Sequence, residues 1–120
     1  MAKIILRVGA LLSLVSILVL SLVPGEYRPH TMILTSGLEH VAAYMVAAFL
    51  LCLTYYGRLS PVRIVLILTA YGALLELAQL WIPGRHGQSI DIFADFLGAA
   101  IGVSVASALA RRIPCAIAHD

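Results

Sequence analysis

Four runs of mostly apolar residues occupy nearly all of this 120-residue chain and limit what it can fold into. They cover about residues 4–23, 38–56, 64–82 and 92–110. Each run has the length of about 20 residues that a helix needs to cross the hydrocarbon core of a bilayer. A soluble domain of this size leaves roughly a third of its unfolded surface exposed, and this chain is 62% hydrophobic and 12% charged. We therefore predict a single domain over residues 1–120, an all-α polytopic membrane bundle of four transmembrane helices.

The remaining general features exclude several classes of function. The first run has an apolar core that is long for a signal peptide, and no A-x-A-like site precedes Pro24, so we interpret it as a retained helix. The net charge of +2 is too small to indicate nucleic-acid binding. Cys52 lies inside the second run and Cys115 lies in the C-terminal tail, and neither spacing suggests a disulfide, a metal finger or a redox motif. We predict no metal and no cofactor.

The distribution of basic residues predicts the orientation of the bundle. With the N-terminus in the cytoplasm, six basic residues lie inside: Lys3, Arg7, Arg58, Arg63, Arg111 and Arg112. Arg28 and Arg85 then lie outside. Short cytoplasmic loops carry an excess of lysine and arginine, so both termini are expected to be cytoplasmic.

Polar side chains gather in the outer half of this predicted bundle. The candidates for a ligand-binding or polar cluster are Glu39, His40, Tyr44, Glu76, Gln79, Arg85, Asp91 and Asp95. Glu76 lies six residues before Ile82, or about 9 Å from the end of its run at 1.5 Å per residue. A carboxylate at that depth must find a partner or a proton. Glu76 shares one helical stripe with Thr69, Gly72 and Gln79, and we expect this stripe to face other helices.

The fourth run combines its aspartates with small residues on one face. Asp91, Asp95, Gly98 and Gly102 lie within about 60° of one another at the helical period of 3.6 residues. A G-x-x-x-G spacing lets helix backbones approach closely, so the aspartates are expected to point where the helix packs. We also expect Arg85 to be brought back by the Pro-Gly turn, so that Glu76, Arg85 and Asp91 form one coupled unit.

These residues resemble the VanZ-like family of small bacterial membrane proteins. The resemblance rests on LEHVAAY, followed by E-x-x-Q, PGR, the loop aspartate and GA, and it extends from Leu38 to Gly102. The matching polar residues are His40, Tyr44, Glu76, Gln79, Arg85 and Asp91. The chain departs from the family pattern at Ser36-Gly37, where Asp-Lys is common, and at Asp95, where Asn is common. The resemblance implies a multi-pass protein of the bacterial cytoplasmic membrane and a role in envelope maintenance or glycopeptide tolerance.

Three classes of function stay open. The first is binding of an envelope lipid, a lipid-linked precursor or an amphiphilic compound at an outer-leaflet polar site, where an arginine fork suits phosphate. The second is a membrane enzyme that uses His40, Glu76 and Asp91 for acid–base or metal-assisted chemistry, although no G-x-S-x-G motif is present. The third is a structural or accessory subunit. We favour the first, with membrane lipids as partners, and a homo-oligomer stays open.

Most of these polar residues also have a plainer interpretation. His40 and Tyr44 lie four residues apart, which suits a hydrogen-bonded pair within one helix. Glu76 and Gln79 suit hydrogen bonds to neighbouring helices, and Arg85 suits a structural ion pair with an aspartate of the fourth run.

Overall fold

The computed structural model describes residues 1–27 and 36–113. The described residues form four long helices and one short turn of 3-10 helix, and contain no strand. The helices are α1 (Ala2–Leu22), α2 (Ser36–Thr54), α3 (Pro61–Gln79) and α4 (Ser89–Arg112), and the 3-10 turn is Gly25–Tyr27. All four are long and apolar enough to cross a membrane. The predicted all-α, four-helix architecture is confirmed, whereas Arg28 and Cys115 lie outside the described residues.

Helix α3 shows why the helix ends differ by one to three residues from the hydrophobic runs. It begins at Pro61, because Ser60 is its N-cap and accepts a hydrogen bond from the Arg63 amide at 3.3 Å. A proline at the first helical position is favourable because it has no amide to leave unpaired. The helix ends at Gln79, and the next residues continue as tighter i→i−3 turns up to Ile82. The apolar run therefore extends beyond the helix.

The helices alternate in direction. The Tyr71 hydroxyl of α3 donates to the Leu14 carbonyl of α1 at 2.9 Å, and Gln79 donates to Ser21 at 3.1 Å. The order is the same along both helices, so α1 and α3 are parallel. A Cβ placed on Gly9, near the start of α1, would lie 3.5 Å from Leu50, near the end of α2, so α1 and α2 are antiparallel.

Small residues bring α4 against α2. A Cβ on Gly98 would meet the Val41 carbonyl, and a Cβ on Gly102 would meet the Met45 carbonyl and the Ala48 side chain. The order along the chain shows that α2 and α4 are parallel. The prediction that the glycine face of the fourth helix is a packing face is confirmed, because the glycines lie directly on the backbone of α2.

The alternating directions divide the bundle into two ends. The basic end holds the start of α1, the α2–α3 turn and the end of α4, with Lys3, Arg7, Arg58, Arg63, Arg111 and Arg112. The carboxylate end holds the opposite helix ends and the α3–α4 loop. The start of α1 and the end of α4 therefore lie at the same end of the bundle, and the cytoplasmic location of both termini stays a prediction.

Helix α1 packs less deeply than the other three. Ala10 and Ile17 are its buried residues, while most of its large apolar side chains are exposed on the surface that a bilayer would cover. Helices α2, α3 and α4 supply most of the buried core. The bundle is therefore a three-helix core with α1 against one side.

Candidate functional site

The polar residues predicted from the sequence gather at the carboxylate end, and three helices and one loop supply them. Helix α2 provides Glu39, His40 and Tyr44; α3 provides Glu76 and Gln79; the loop provides Arg85; and α4 provides Asp91 and Asp95. Five of these eight are buried: Tyr44, Glu76, Gln79, Asp91 and Asp95. Buried polar groups of this kind need partners inside the protein, so their contacts define the site.

Asp95 and His40 form the shortest contact between two side chains described in the site. The His40 ring lies with Nδ1 at 2.7 Å from Asp95 Oδ1, so the Nδ1–H donates to the carboxylate. Asp95 is completely buried, and its second oxygen, Oδ2, has no hydrogen-bond partner in the described part of the chain. A Cβ on Gly72 would collide with Oδ2 and lie 3.0 Å from the Tyr44 hydroxyl. The absence of a side chain at Gly72 therefore lets Asp95 fit between the helices.

Tyr44 contacts His40 through its ring. The two rings are parallel within 4°, with centroids 6.4 Å apart. The predicted proximity is present, but the imidazole hydrogen bond described by the structure goes to Asp95. The interpretation of His40 and Tyr44 as a hydrogen-bonded pair is therefore wrong, because a carboxylate from α4 lies closer to the imidazole.

The second imidazole nitrogen of His40 faces the other carboxylates. Nε2 lies 3.8 Å from Asp91 Oδ2. His40, Glu76 and Asp91 each contribute one possible metal-ligand atom, and these three atoms lie within 4.8 Å of one another. Three elements that are distant in sequence thus place one imidazole and two carboxylates around a common point.

Glu76 also fixes the loop that leads into α4. Its Oε2 accepts a hydrogen bond from the Gln88 amide at 2.9 Å, and Gln88 is the N-cap residue of α4. A Cβ on Gly87 would lie 2.6 Å from the Glu76 carbonyl oxygen. The loop therefore packs directly on α3, with its backbone held by the Glu76 carboxylate.

Arg85 takes a different position from the one expected. Its guanidinium donates to the carbonyls of Leu20, Ser21 and Val23 at the end of α1, at 3.0 Å for Nε to Val23 and for Nη2 to Ser21. The last carbonyls of a helix lack intrahelical donors, and cations are favoured at that end. Arg85 thus satisfies the C-terminal carbonyls of α1.

The predicted ion pairs of Arg85 with the site carboxylates are therefore corrected. Within residues 1–27 and 36–113, no ion pair joins Arg85 to Glu76, Asp91 or Asp95. The Pro-Gly turn lies beside α1, because the Gly25 amide donates to the Pro83 carbonyl at 3.2 Å. The turn therefore brings the guanidinium over α1, while the carboxylates remain around His40.

Two cavities meet at these residues. The α1–α2 groove, of about 500 Å³, is lined by Ser13, Ser16, Ile17, Leu20, Ser21, Glu39, His40, Ala42, Ala43, Tyr44, Val46, Gln79 and Arg85. The loop pocket, of about 280 Å³, is lined by Gly25, Ser36, His40, Gln79, Gly84, Arg85, His86, Gln88 and Asp91. His40, Gln79 and Arg85 line both, so the apolar groove between two helices and the polar pocket under the loop are adjacent and share these three side chains.

Some functional atoms could not be found from the sequence. The Gln88 amide and the carbonyls at the end of α1 belong to the backbone, and a backbone group is the same at every non-proline residue. Ser21 and Gln88 also gave no pattern of their own in the sequence. Their roles follow only from the packing of the loop against α1 and α3.

Four apolar helices with a polar site at one end define a multi-pass membrane protein. The model of the VanZ/LLP1 family matches residues 5–111. The chain therefore belongs to the VanZ/LLP1 family, in agreement with the motifs in its sequence. Comparison with curated proteins and with solved structures found no match.

Proposed function

We propose that this protein binds an amphiphile at the carboxylate end of the bundle, with the apolar chain in the α1–α2 groove and the polar headgroup in the loop pocket. The ligand class is an envelope lipid, a lipid-linked precursor or an amphiphilic compound. The observation that carries the proposal is that His40, Gln79 and Arg85 line both cavities, which places the groove and the pocket side by side.

The α1–α2 groove suits the apolar part of such a ligand. Its volume of about 500 Å³ lies within the range of about 300–1,000 Å³ that small-molecule sites occupy. The groove lies between membrane-spanning helices, and side chains such as Ile17, Ala43 and Val46 line it. An acyl or prenyl chain in the groove would therefore pack against apolar side chains.

The loop pocket suits a headgroup with both acidic and donor groups. Arg85, His86 and Asp91 all line the pocket, so both donor-bearing side chains and a carboxylate border it. Arginine binds phosphate through directed hydrogen bonds, and a carboxylate accepts from a hydroxyl or an amine. A phosphate that carries a hydroxyl or amino substituent matches this combination.

Two further arguments support the proposed membrane and leaflet. The basic residues at the opposite end support placement of the site on the external side under the positive-inside rule. The family resemblance supports the bacterial cytoplasmic membrane and a role in envelope maintenance or glycopeptide tolerance. A protein in this position would meet lipids and lipid-linked compounds of the outer leaflet.

The experiment compares ligands that differ only in the headgroup. The purified protein in detergent is melted with phosphatidylglycerol and with diacylglycerol of the same acyl chains. We expect phosphatidylglycerol to raise the Tm and diacylglycerol to leave it unchanged. A ligand that binds only the folded state stabilises that state, by about 2.7 kcal/mol at a free ligand concentration of one hundred times Kd. An equal effect of the two lipids would contradict the headgroup assignment.

A matched pair of serine variants tests the groove. Ser16 is exposed and lines the α1–α2 groove, and Ser104 is exposed on α4 outside both cavities. We expect Ser16→Phe to fill the groove and abolish the stabilisation by lipid, while Ser104→Phe retains it. Equal responses of the two variants would remove the groove from the proposal.

A further inference from the structure

The carboxylate end buries more acidic groups than its described contacts explain. Glu76, Asp91 and Asp95 are 5%, 7% and 0% exposed, and together with His40 they form one cluster. The Asp91 carboxylate has no hydrogen bond within the described residues, and its Oδ2 lies 3.8 Å from His40 Nε2. A buried carboxylate without a donor is unfavourable unless a cation or a proton compensates it.

We propose that His40, Glu76 and Asp91 bind one divalent metal ion, and that Asp95 positions the imidazole for it. The separations of the ligand atoms fit this site. Metal–nitrogen and metal–oxygen bonds of about 2.0–2.2 Å hold two ligands no more than about 4.4 Å apart. The distance of 3.8 Å between His40 Nε2 and Asp91 Oδ2 already meets this limit. Because one ligand atom from each of the three residues lies within 4.8 Å of the other two, metal binding would need the widest pair to move closer by about half an ångström or less.

The orientation of His40 supports binding through Nε2. A metal-binding histidine usually donates its other ring N–H to a carboxylate or carbonyl, which fixes the ring and the tautomer. Here Nδ1 donates to Asp95 Oδ1 at 2.7 Å, so a neutral ring carries its lone pair on Nε2. That nitrogen is the one that faces Asp91.

The other two ligands are also held in place. The Gln88 amide donates to Glu76 Oε2 at 2.9 Å, and a carboxylate retains further lone pairs after one such bond. Asp91 lies in the first turn of α4, which fixes its backbone opposite His40. The cluster therefore needs small side-chain adjustments and no change of fold.

The donor set indicates the kind of metal. One imidazole nitrogen and two carboxylate oxygens suit Zn²⁺ or Mn²⁺ better than the softer metals that prefer sulfur. A dication would also offset the charge of the buried carboxylates. Three protein ligands leave at least one coordination position open, and His40 and Asp91 both line the loop pocket.

The open position gives the metal a place in ligand binding. An oxygen of a headgroup phosphate in the loop pocket would complete the coordination. This last step rests on the proposed function, whereas the metal site itself does not. The metal experiment is therefore carried out in detergent without added lipid.

The test measures metal binding directly. The purified full-length protein is treated with a chelator, and Zn²⁺ and Mn²⁺ are titrated separately by calorimetry and by thermal melting. We expect one equivalent of at least one of these metals per chain and a rise in Tm. Neither binding nor a Tm shift with either metal would overturn the proposal.

Three variants assign the site. Asp91→Asn removes a ligand charge with little change in shape and should abolish the binding of one metal equivalent seen by calorimetry. Glu26 is an exposed acid at the same end of the bundle, so Glu26→Gln should bind the metal like the parent. Asp95→Asn should weaken metal affinity about 10–100-fold, the usual effect of losing an outer carboxylate. An unchanged equivalent in Asp91→Asn would show adventitious metal binding elsewhere and overturn the site.

Discussion

Replacement of Gly98 by leucine should separate α2 from α4 and destabilise the bundle. A Cβ at this position would collide with the Val41 carbonyl oxygen and lie 3.0 Å from the Val41 carbonyl carbon and Cα. Ordinary van der Waals contact begins at 3.4 Å, so these carbon contacts must open by at least 0.4 Å (3.4 minus 3.0). The obstacle is backbone, which cannot rotate away as a side chain can.

The size of the effect follows from two opposing contributions. Overpacking of a well-packed site destabilises by about 1–3 kcal/mol, and a leucine that meets backbone belongs at the upper end. Leucine has a higher helix propensity than glycine by roughly 0.8 kcal/mol, which offsets part of this. We expect Gly98→Leu to lower the free energy of unfolding by about 2 kcal/mol, roughly a 30-fold change in the unfolding equilibrium at about 1.4 kcal/mol per tenfold.

The control is the same substitution at Gly37. This glycine lies in the first turn of α2, and a Cβ there would meet no atom of residues 1–27 or 36–113 within 4 Å. We expect Gly37→Leu to unfold at the same SDS fraction as the parent or at a slightly higher one. Leu97→Ala offers a second comparison, because Leu97 is 41% exposed beside Gly98 and its truncation disturbs little packing.

Unfolding by SDS in mixed micelles, followed by circular dichroism, measures these differences. The midpoint should fall clearly for Gly98→Leu and stay near that of the parent for the two comparison variants. If Gly98→Leu and Gly37→Leu unfold at the same SDS fraction, the close approach of α2 and α4 does not contribute to stability, and the reasoning is refuted.

Three further predictions concern the carboxylate end. The first uses intact cells in which both native cysteines of the protein are replaced by serine. His86→Cys should react there with an impermeant thiol reagent, and a lack of reaction would contradict the predicted orientation. Position 86 is chosen because His86 is exposed, whereas a side chain at Gly87 would meet α3. Arg85→Lys should lower stability in the SDS assay by about 1.5–3 kcal/mol, because a lysine cannot replace the forked donation to α1; a midpoint equal to that of the parent would contradict this role. His40→Gln and Asp95→Asn should be coupled by about 0.5–3 kcal/mol in a double-mutant cycle, and strict additivity would show that their 2.7 Å contact does not stabilise the fold.

The number and type of the helices could be predicted because hydropathy reports on burial in lipid over a whole segment. The exact helix ends could not be predicted from hydropathy. Pro61 begins α3 three residues before the predicted run, and the chain beyond Gln79 stays apolar after the helix has become a series of tighter turns. A hydropathy pattern describes the solvent of a segment, whereas a helix end depends on local hydrogen bonds.

The membership of the polar cluster could be predicted in the same way, but its pairing could not. Helical periodicity placed Asp91 and Asp95 on the packing face, where the structure has them both buried. The partner of Arg85 was misjudged because charge alone favoured a carboxylate. The unpaired carbonyls at the end of α1 accept the guanidinium instead, and they carry no signal in the sequence.

The position of α1 connects the fold with the proposed ligand binding. This helix forms one wall of the α1–α2 groove, yet Ala10 and Ile17 are its buried residues. At the carboxylate end it is held by hydrogen bonds from Gln79 and Arg85 to its last carbonyls, and the same two side chains line both cavities. A headgroup that competes for these donors would loosen α1 at the end where the groove meets the loop pocket. A chain in the groove would at the same time add apolar contacts to α1, so the two halves of one amphiphile would act on this helix in opposite directions.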